Sequence, residues 1–462
     1  MFYAPYDTAC VPKTWNISDD LGQIEYVFSD KTGTLTQNIM EFQKCSVNGV
    51  AYGEGITEAQ RGAALRTGEK GLLSPEEQTQ QLVALKQDML QKLNRAFTNR
   101  WLQPDKLTLI SPKLAMDLAD SNSPQREPLI AFFRALAICH SVLPDRPDPQ
   151  MRPNHLEYKA ESPDEAALVA AARDAGFPFI GKTNGAIDIE VMGQPERYTT
   201  LKLLEFNSTR KRMSVVVRGP DGRIILYTKG ADSVIYARLA ADQNAELKAK
   251  TSKDMEDFAN GGLRTLCIAY RYLSEEEYND WSKVYDAAAA AVDKRDEAID
   301  EANEKIEHSL YILGATALED KLQEGVPEAI ETLHKAGIKL WILTGDKVQT
   351  AIEIGYSCNL LKQDMEIMIL SAATQSEARS KIEAGLNKIS SVLGPQAWSV
   401  KARGFVPGAQ ASFAIVIDGD TLRFALEPSL KSLFLNLATQ CETVVCCRVS
   451  PAQKAQTVKL VR

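Results

Sequence analysis

An aspartate stands where an apolar run ends. Ile24-Glu25-Tyr26-Val27-Phe28-Ser29 is followed by Asp30-Lys31-Thr32-Gly33-Thr34-Leu35-Thr36. The run reads as a buried strand. A carboxylate at a strand end, ahead of a Thr/Gly turn, is presented at the carboxyl edge of a parallel sheet, where open α/β folds bind ligands. Gly33 lets the backbone approach a phosphate closely, the N–H groups of the turn can point at an anion, and Lys31 adds positive charge. So placed, the Asp30 carboxylate can attack the γ-phosphorus of ATP and become an aspartyl phosphate. The bland alternative is an ordinary Asp-initiated turn, which does not call for this whole run of residues.

Two further segments can handle phosphate. Leu343-Thr344-Gly345-Asp346-Lys347 closes an expected strand at 338–343 and opens a helix from about 348 to 358. A Thr hydroxyl and a glycine N–H placed there can bind phosphate oxygens; alone, the segment is equally a Thr/Asp helix cap. Arg448-Val449-Ser450-Pro451-Ala452-Gln453-Lys454 follows an expected strand at 443–447. A lysine on the helix beyond Pro451 can neutralise phosphoryl charge in the transition state. Three such segments in order, each at a strand end, carry more than any one alone. A fourth segment is rejected. Gly176-Phe177-Pro178-Phe179-Ile180-Gly181-Lys182-Thr183 fits the phosphate-loop pattern, but a helix precedes it and strand-like residues follow it, the reverse of what that loop needs. Gly176 reads as a helix C-cap, and Pro178 removes one N–H donor.

The elements that must position these groups follow from the rest of the chain. Its 462 residues suggest about three domains. Hydrophobic content of 44% and charged content of 25% are those of a globular protein, and a net charge of −8 gives a nucleic-acid partner no electrostatic support. No apolar run approaches the ~18 residues of a membrane helix, and no signal peptide opens the chain. Eight cysteines without a CxxC pair fit a reduced cytosolic compartment, where the sequons at Asn16 and Asn207 stay unmodified. The four histidines show no ligand spacing.

Residues 14–38 read as strand, loop and turn, and the polar stretch 55–128, with helices near 76–97 and 112–119, as an elaborated surface insertion. Residues 129–142 form a buried helix. Residues 163–175 form another, with Ser162 as N-cap, Pro163 at the first position and Glu165 closing a capping box. Strands are expected at 187–191, 198–206, 212–217 and 224–228, with a hairpin turn at 219–222. Residues 280–308 read as a solvated amphipathic helix. After 319 strands and helices alternate, which implies a doubly wound parallel sheet. The strand before Asp30 belongs to that sheet, so the β-rich segment between is an insertion within it. There is no internal repeat and no low-complexity tract.

Taken together, the three phosphate segments resemble the haloacid-dehalogenase-like phosphorylation domain of the P-type ATPases, and the resemblance covers essentially the whole chain. It implies an α/β fold: a haloacid-dehalogenase-like doubly wound parallel sheet, with an inserted α+β nucleotide-binding domain built on an antiparallel sheet. The phosphorylation domain would comprise 1–38 and 319–462, truncated at its C-terminus, and the insertion 39–318. Asp30 would be the nucleophile, with Lys31, Thr32, Thr344, Gly345, Asp346, Arg448 and Lys454 around the phosphoryl group. The Asp30 carboxylate and Thr32 carbonyl would ligate Mg2+. Thr32 stands two residues after Asp30, where soluble phosphatases of the superfamily carry a second Asp as acid/base, so the aspartyl phosphate should be long-lived.

The insertion resembles the nucleotide domain of the type-IV, lipid-flipping branch, fungal-type. The matching blocks are Tyr52-Gly53-Glu54-Gly55, Glu161-Ser162-Pro163-Asp164-Glu165, Glu205-Phe206-Asn207-Ser208-Thr209-Arg210-Lys211-Arg212-Met213-Ser214, Lys229-Gly230-Ala231-Asp232, Gly262-Leu263-Arg264-Thr265-Leu266 and Leu318-Glu319-Asp320-Lys321-Leu322-Gln323. Phe206 offers adenine an aromatic face. Lys211, Lys229 and Arg264 supply charge for base edge, ribose and phosphates. Ser208 and Glu165 can hydrogen-bond the nucleoside, and Thr265 completes the set. By residue type alone, a Phe at a strand end is most often core, and Arg210-Lys211-Arg212 a solvated face.

The family continues beyond the position of Arg462 into a Gly-Asp-Gly-x-Asn-Asp loop that completes the Mg2+ site, and it carries membrane helices and an actuator domain. The expectation is therefore a soluble catalytic fragment of an integral membrane protein, on the cytoplasmic face, nearly inactive in turnover by itself. The intact parent would use ATP to move phospholipid, with an accessory membrane subunit as partner and no nucleic acid. Alternatives are a soluble haloacid-dehalogenase-type phosphohydrolase, against which Thr32 counts, and a non-catalytic nucleotide-binding fragment.

Overall fold

The computed structural model describes residues 2–4, 7–9, 11, 13, 17–68, 75–207, 209–393 and 412–462. The chain divides into two compact units. One comprises Met1–Gln37, Arg61–Gly68 and Leu322–Arg462; the other comprises Asn38–Gln60 and Glu69–Lys321.

The first unit is built on a five-stranded sheet in the order Met365–Leu370, Ser412–Asp418, Thr443–Cys447, Lys339–Leu343, Tyr26–Asp30. Every pairing is parallel. Successive side chains of a strand face opposite sides, so alternate residues enter different cores. Trp341, Leu343, Ile415, Ile417, Val444 and Cys446 pack on one face, against the helices Gln375–Leu393, Gly419–Ala425, Lys431–Thr439 and Pro451–Val461. Leu340, Ile342, Ala414, Val416, Val445 and Cys447 pack on the other, against Val326–Lys335 and Val348–Ser357. Burial on both faces explains why Val444 to Cys447 is apolar without alternation.

The pairing register sets the strand ends level. Asp30 lies opposite Leu343, Leu343 opposite Cys446, and Asp418 opposite Cys447. The sheet also contains an edge strand, Met365–Leu370, that the sequence reading did not find, and the helices Ile17–Leu21, Gln375–Leu393 and Gly419–Ala425 are likewise additions to it.

The second unit is built on a nine-stranded sheet in the order Val50–Tyr52, Thr36–Val47, Tyr311–Leu322, Arg264–Leu273, Ile224–Gly230, Arg212–Arg218, Gln194–Leu204, Ala186–Val191, Phe179–Thr183. It is antiparallel from Tyr311–Leu322 through Phe179–Thr183. Helices cover both faces. Val215, Val217, Ile225 and Tyr227 meet Phe132, Phe133 and Leu136 of Arg126–Ile138. Val216, Leu226 and Ala269 meet Met255 and Trp281 on the opposite side.

Three expectations are corrected here. The stretch 55–128 is not a surface elaboration. Met89, Leu93, Leu107, Leu109, Leu114 and Leu118 are buried in the larger core of the second unit, and they cover the sheet through the helices Pro75–Ala96 and Pro112–Ala119. A further helix, Glu58–Thr67, places Gly62 so close to the Glu353 carbonyl that a Cβ would lie 1.7 Å from its oxygen. The capping box at the start of Pro163–Asp174 does not form, because Ser162 makes no side-chain cap and Glu165 is drawn to other partners. Residues 280–308 are two helices, Glu275–Ala289 and Arg295–Glu304, separated at Lys294, whose φ of 51° is left-handed.

Candidate active site

At the carboxyl edge of the parallel sheet, Asp30 ends its strand with its side chain 47% exposed. One carboxylate oxygen accepts the Lys31 N–H at 2.8 Å, and the other lies 2.5 Å from Lys454 Nζ. The turn that follows leaves helical geometry at Thr32 (φ −72°, ψ 126°) and at Gly33 (φ 77°). The Gly33 N–H donates to Thr36 Oγ1 at 3.0 Å, so it closes the turn rather than facing outward. Lys31 does not present its charge to solvent. Its side chain is buried, and Nζ sits 3.0 Å from Asp346 Oδ2.

Asp346 is held in place by the neighbouring strand ends. Its N–H donates to Thr344 Oγ1 at 3.1 Å, and its carbonyl accepts the Arg448 N–H at 3.2 Å. The Thr344 N–H and carbonyl bond Cys446 and Val449, which ties one strand end to the next. Gly345 is exposed, with open space where a Cβ would stand. Arg448 is exposed in left-handed backbone, φ 52°. Lys454 rides on Pro451–Val461, whose N-terminus carries a complete capping box between Ser450 and Gln453. The Gln453 side chain also donates to the Gly419 carbonyl at 2.7 Å, which fixes how the helix meets the sheet.

In the second unit, Lys229 is buried near the end of Ile224–Gly230, with Nζ 2.5 Å from Glu165 Oε1. Glu165 Oε2 accepts the Ser141 hydroxyl at 2.6 Å. Burial raises the Glu165 carboxyl pKa, but the Lys229 charge and the hydrogen bonds outweigh it, and the net shift is downward. Gly230 cannot be larger: a Cβ would lie 2.6 Å from Arg212 Cβ and 2.8 Å from the Lys211 carbonyl oxygen. Arg264 opens its strand with Nη1 3.6 Å from Asp164 Oδ1 and Nη2 3.9 Å from Asp320 Oδ2. Burial pushes the Asp164 carboxyl up against the opposing pull of Arg264. Thr265, half-buried, follows in the same strand opposite Ala317. Phe206 lies just past Gln194–Leu204 and is 63% exposed, so it is no core residue. Lys211 is exposed in left-handed backbone, φ 53°. Ser208 lies outside the described residues.

Residues 129–325 match the family model described as P-type ATPase, cytoplasmic domain N. Along its whole length the chain is 47% identical to the phospholipid-transporting ATPase DNF1 of Chaetomium thermophilum, 46% to dnf2 of Schizosaccharomyces pombe and 41% to DRS2 of Saccharomyces cerevisiae. Over its whole length the chain is similar to P-type ATPases. It spans 30%, 33% and 30% of the length of those relatives.

Within this chain, the expected site residues fall into two sets. Asp30 with Lys454, and Lys31 with Asp346, cluster in the first unit; Glu165 with Lys229 cluster in the second. The phosphate-loop look-alike is a strand, Phe179–Thr183, running into a turn at Asn184 and Gly185. Two groups were missed. Asp418, at the end of its strand, caps the next helix by accepting the Thr421 N–H at 2.8 Å. Burial raises its pKa, hydrogen bonds from Ser371 and Thr421 lower it, and the result is downward. The Asp-Gly pair after an apolar run at 413–417 was the available signal. Arg210 and Arg212 are not a solvated face. Both are buried against Glu307, which is itself buried.

The donor chemistry at Asp30 suits a hard cation. A carboxylate and the nearby Thr32 carbonyl are oxygen donors, and Mg2+ is typically held by one or two carboxylates together with substrate phosphates. Among the described residues no group of three His, Cys, Asp or Glu forms a self-sufficient metal cage. No helix of the described residues is long and apolar enough to cross a membrane.

Proposed function

We propose that this chain carries the ATP-binding and phosphoryl-accepting parts of a P-type ATPase whose intact protein moves phospholipid across a membrane. The observation that carries the reading is the accessible Asp30 carboxylate at the carboxyl edge of a parallel sheet, with the Lys454 ammonium 2.5 Å away. The first unit serves as phosphorylation domain and the second as nucleotide-binding domain.

In the second unit, Phe206 stacks on adenine, Glu165 and Ser208 hydrogen-bond the nucleoside, and Lys211, Lys229, Arg264 and Thr265 hold sugar and phosphate oxygens. In the first, an Asp30 oxygen forms a bond to the γ-phosphorus while the bond from that phosphorus to the bridging oxygen breaks, and ADP leaves with the electron pair. Lys454 offsets the charge on the phosphoryl oxygens, and Thr344, Gly345 and Arg448 line the same edge. The Lys31–Asp346 pair beneath holds the turn in place. Asp30 and the Thr32 carbonyl would hold Mg2+, which neutralises phosphoryl charge when bound. Thr32 carries no acid/base group, so the acyl phosphate persists.

Support for the lipid branch comes from the relatives, each named a phospholipid-transporting ATPase. Phospholipid, an accessory membrane subunit and the cytoplasmic face of a membrane then belong to the intact protein.

The test is labelling of the intact protein with γ-labelled ATP and Mg2+. We expect one acid-stable, hydroxylamine-sensitive acyl phosphate, lost in Asp30→Asn, which keeps size but removes the anion. Equal labelling of the Asn variant sinks the reading. Brisk hydrolysis of small phosphate esters by residues 1–462 favours a soluble phosphohydrolase instead.

A further inference from the structure

Phe206 has 63% of its surface exposed, so packing does not hold it. Its two neighbours are held instead. The Glu205 carbonyl accepts Arg210 Nη1 at 2.8 Å. The Asn207 amide donates to both Asp300 oxygens, at 2.9 and 3.0 Å, while Asn207 Oδ1 accepts the Arg210 N–H at 2.6 Å. The Lys211 N–H closes the loop on the Asn207 carbonyl at 2.9 Å.

These contacts converge on one acidic stripe. Asp300 and Glu304 lie on Arg295–Glu304, and the turn continues to Glu307, whose N–H bonds the Asn303 carbonyl. Asp300 and Glu304, four residues apart, share one face of that helix, and Arg210 and Arg212 bridge them to Glu307 just past its end. Glu307, with 0% of its side chain exposed, accepts Arg210 Nη2 at 2.5 Å, Arg212 Nε at 2.7 Å and the Ser214 hydroxyl at 2.5 Å. Glu304 accepts Arg212 Nη2 at 2.6 Å and Arg238 Nη2 at 2.8 Å. Ser214 also meets the Thr228 hydroxyl at 2.9 Å, one residue before Lys229. One buried carboxylate thus connects the Phe206 loop to the strand that carries Lys229.

A buried ion network of this kind is not an economical stabiliser, since well-packed apolar residues often do as well. What it supplies here is fixed geometry on either side of an unpacked aromatic ring. We infer that the acidic stripe Asp300, Glu304 and Glu307 is a positioning device that presets the Phe206–Lys211 loop for nucleotide, acting through Asn207, Arg210 and Arg212. This rests on the nucleotide reading of Phe206. A preset loop loses less conformational freedom on binding, so loosening it weakens binding without removing any ligand contact.

The experiment uses residues 1–462, with ATP titrated by calorimetry and amide hydrogen exchange read at Arg210 and Lys211 without nucleotide. Asp300→Ala is the main variant, because Asp300 is part-exposed and, although it also lies 3.8 Å from Arg210 Nε, its loss leaves every hydrogen bond to Glu307 in place. We expect faster exchange at both amides, ATP affinity lowered about 5-fold, and an unchanged urea midpoint. In a Phe206→Ala background, Asp300→Ala should no longer affect affinity. Glu307→Gln should act in the same direction if it folds. Unchanged exchange and affinity in Asp300→Ala overturn the inference, as does an affinity loss of the same size in both backgrounds. Wild-type ATP affinity in Phe206→Ala removes the nucleotide reading itself, and the inference falls with it even if Asp300→Ala speeds exchange.

Discussion

Asp30 and Asp346 are carboxylates at adjacent strand ends, and their surroundings divide their roles. Asp30 is half open to solvent and paired with Lys454 from a helix surface; Asp346 is mostly enclosed and paired with Lys31, whose side chain is only 7% exposed. An accessible carboxylate can reach a phosphorus, whereas an enclosed one serves as counter-ion. The two lysines should therefore respond differently to loss of charge. Lys31→Met leaves Asp346 part-buried without its cation and should cost about 2–4 kcal/mol in urea unfolding. Lys454→Met leaves Asp30 solvated and should cost under about 1 kcal/mol, while reducing acyl-phosphate formation in the intact protein. Equal stability losses would show that the enclosure of Asp346 has no energetic consequence.

At the scale of elements, two helices begin with similar sequences and are capped differently. Ser450-Pro451-Ala452-Gln453 forms the full reciprocal box, while Ser162-Pro163-Asp164-Glu165 forms none of it. Glu165 is turned toward Lys229 and Ser141, and a charged, largely desolvated partner outcompetes a backbone N–H at a helix end. Ser450→Ala should lower stability by about 1 kcal/mol, the usual cost of a lost cap, with the helix carrying Lys454 loosened. Ser162→Ala should stay within about 0.5 kcal/mol of wild type. The urea midpoints of the two variants decide the matter, and a larger loss from Ser162→Ala would contradict the observed caps.

At the scale of the whole molecule, each unit buries a sheet on both faces, and each encloses a neutral histidine. Burial, with Lys229 nearby, pushes His140 down to about 4, against the weaker pull of Glu165. Burial and Lys362 bring His334 to about 4. His140 Nδ1 accepts the Val142 N–H at 3.1 Å, which leaves Nε2 to donate to the Ala137 carbonyl at 2.9 Å, and this fixes the neutral form. The unfolded chain takes up these protons near the ordinary histidine pKa, ~6.5, before the folded chain does. Stability is therefore full above that value and falls as pH drops toward 4, by about 3 kcal/mol for His140. Unfolding free energies measured from pH 7 to 4.5 should show this slope, and His140→Gln should flatten it. An unchanged slope in that variant assigns the loss to other groups.

What the sequence determined by itself was whatever depends on neighbours along the chain. Apolar runs broken by Asp, Thr and Gly located Asp30, Thr344 to Asp346 and Arg448 at strand ends, and strand–helix alternation identified the parallel sheet. A preceding helix and Pro178 were enough to discard the phosphate-loop look-alike. Tertiary structure alone decided which charges meet. Glu307 lies 97 residues from Arg210, so no local pattern reveals that it buries two arginines which look solvated. Lys31 turns inward to Asp346 and Glu165 leaves the expected capping box for Lys229, because each finds an opposite charge supplied by a distant part of the chain. The polar stretch 55–128 misled for the same reason. Met89, Leu93 and Leu114 are spaced among glutamines and lysines, and only the sheet face they cover makes them core. Periodicity is a property of the segment, whereas desolvation and pairing are properties of what the fold brings against it.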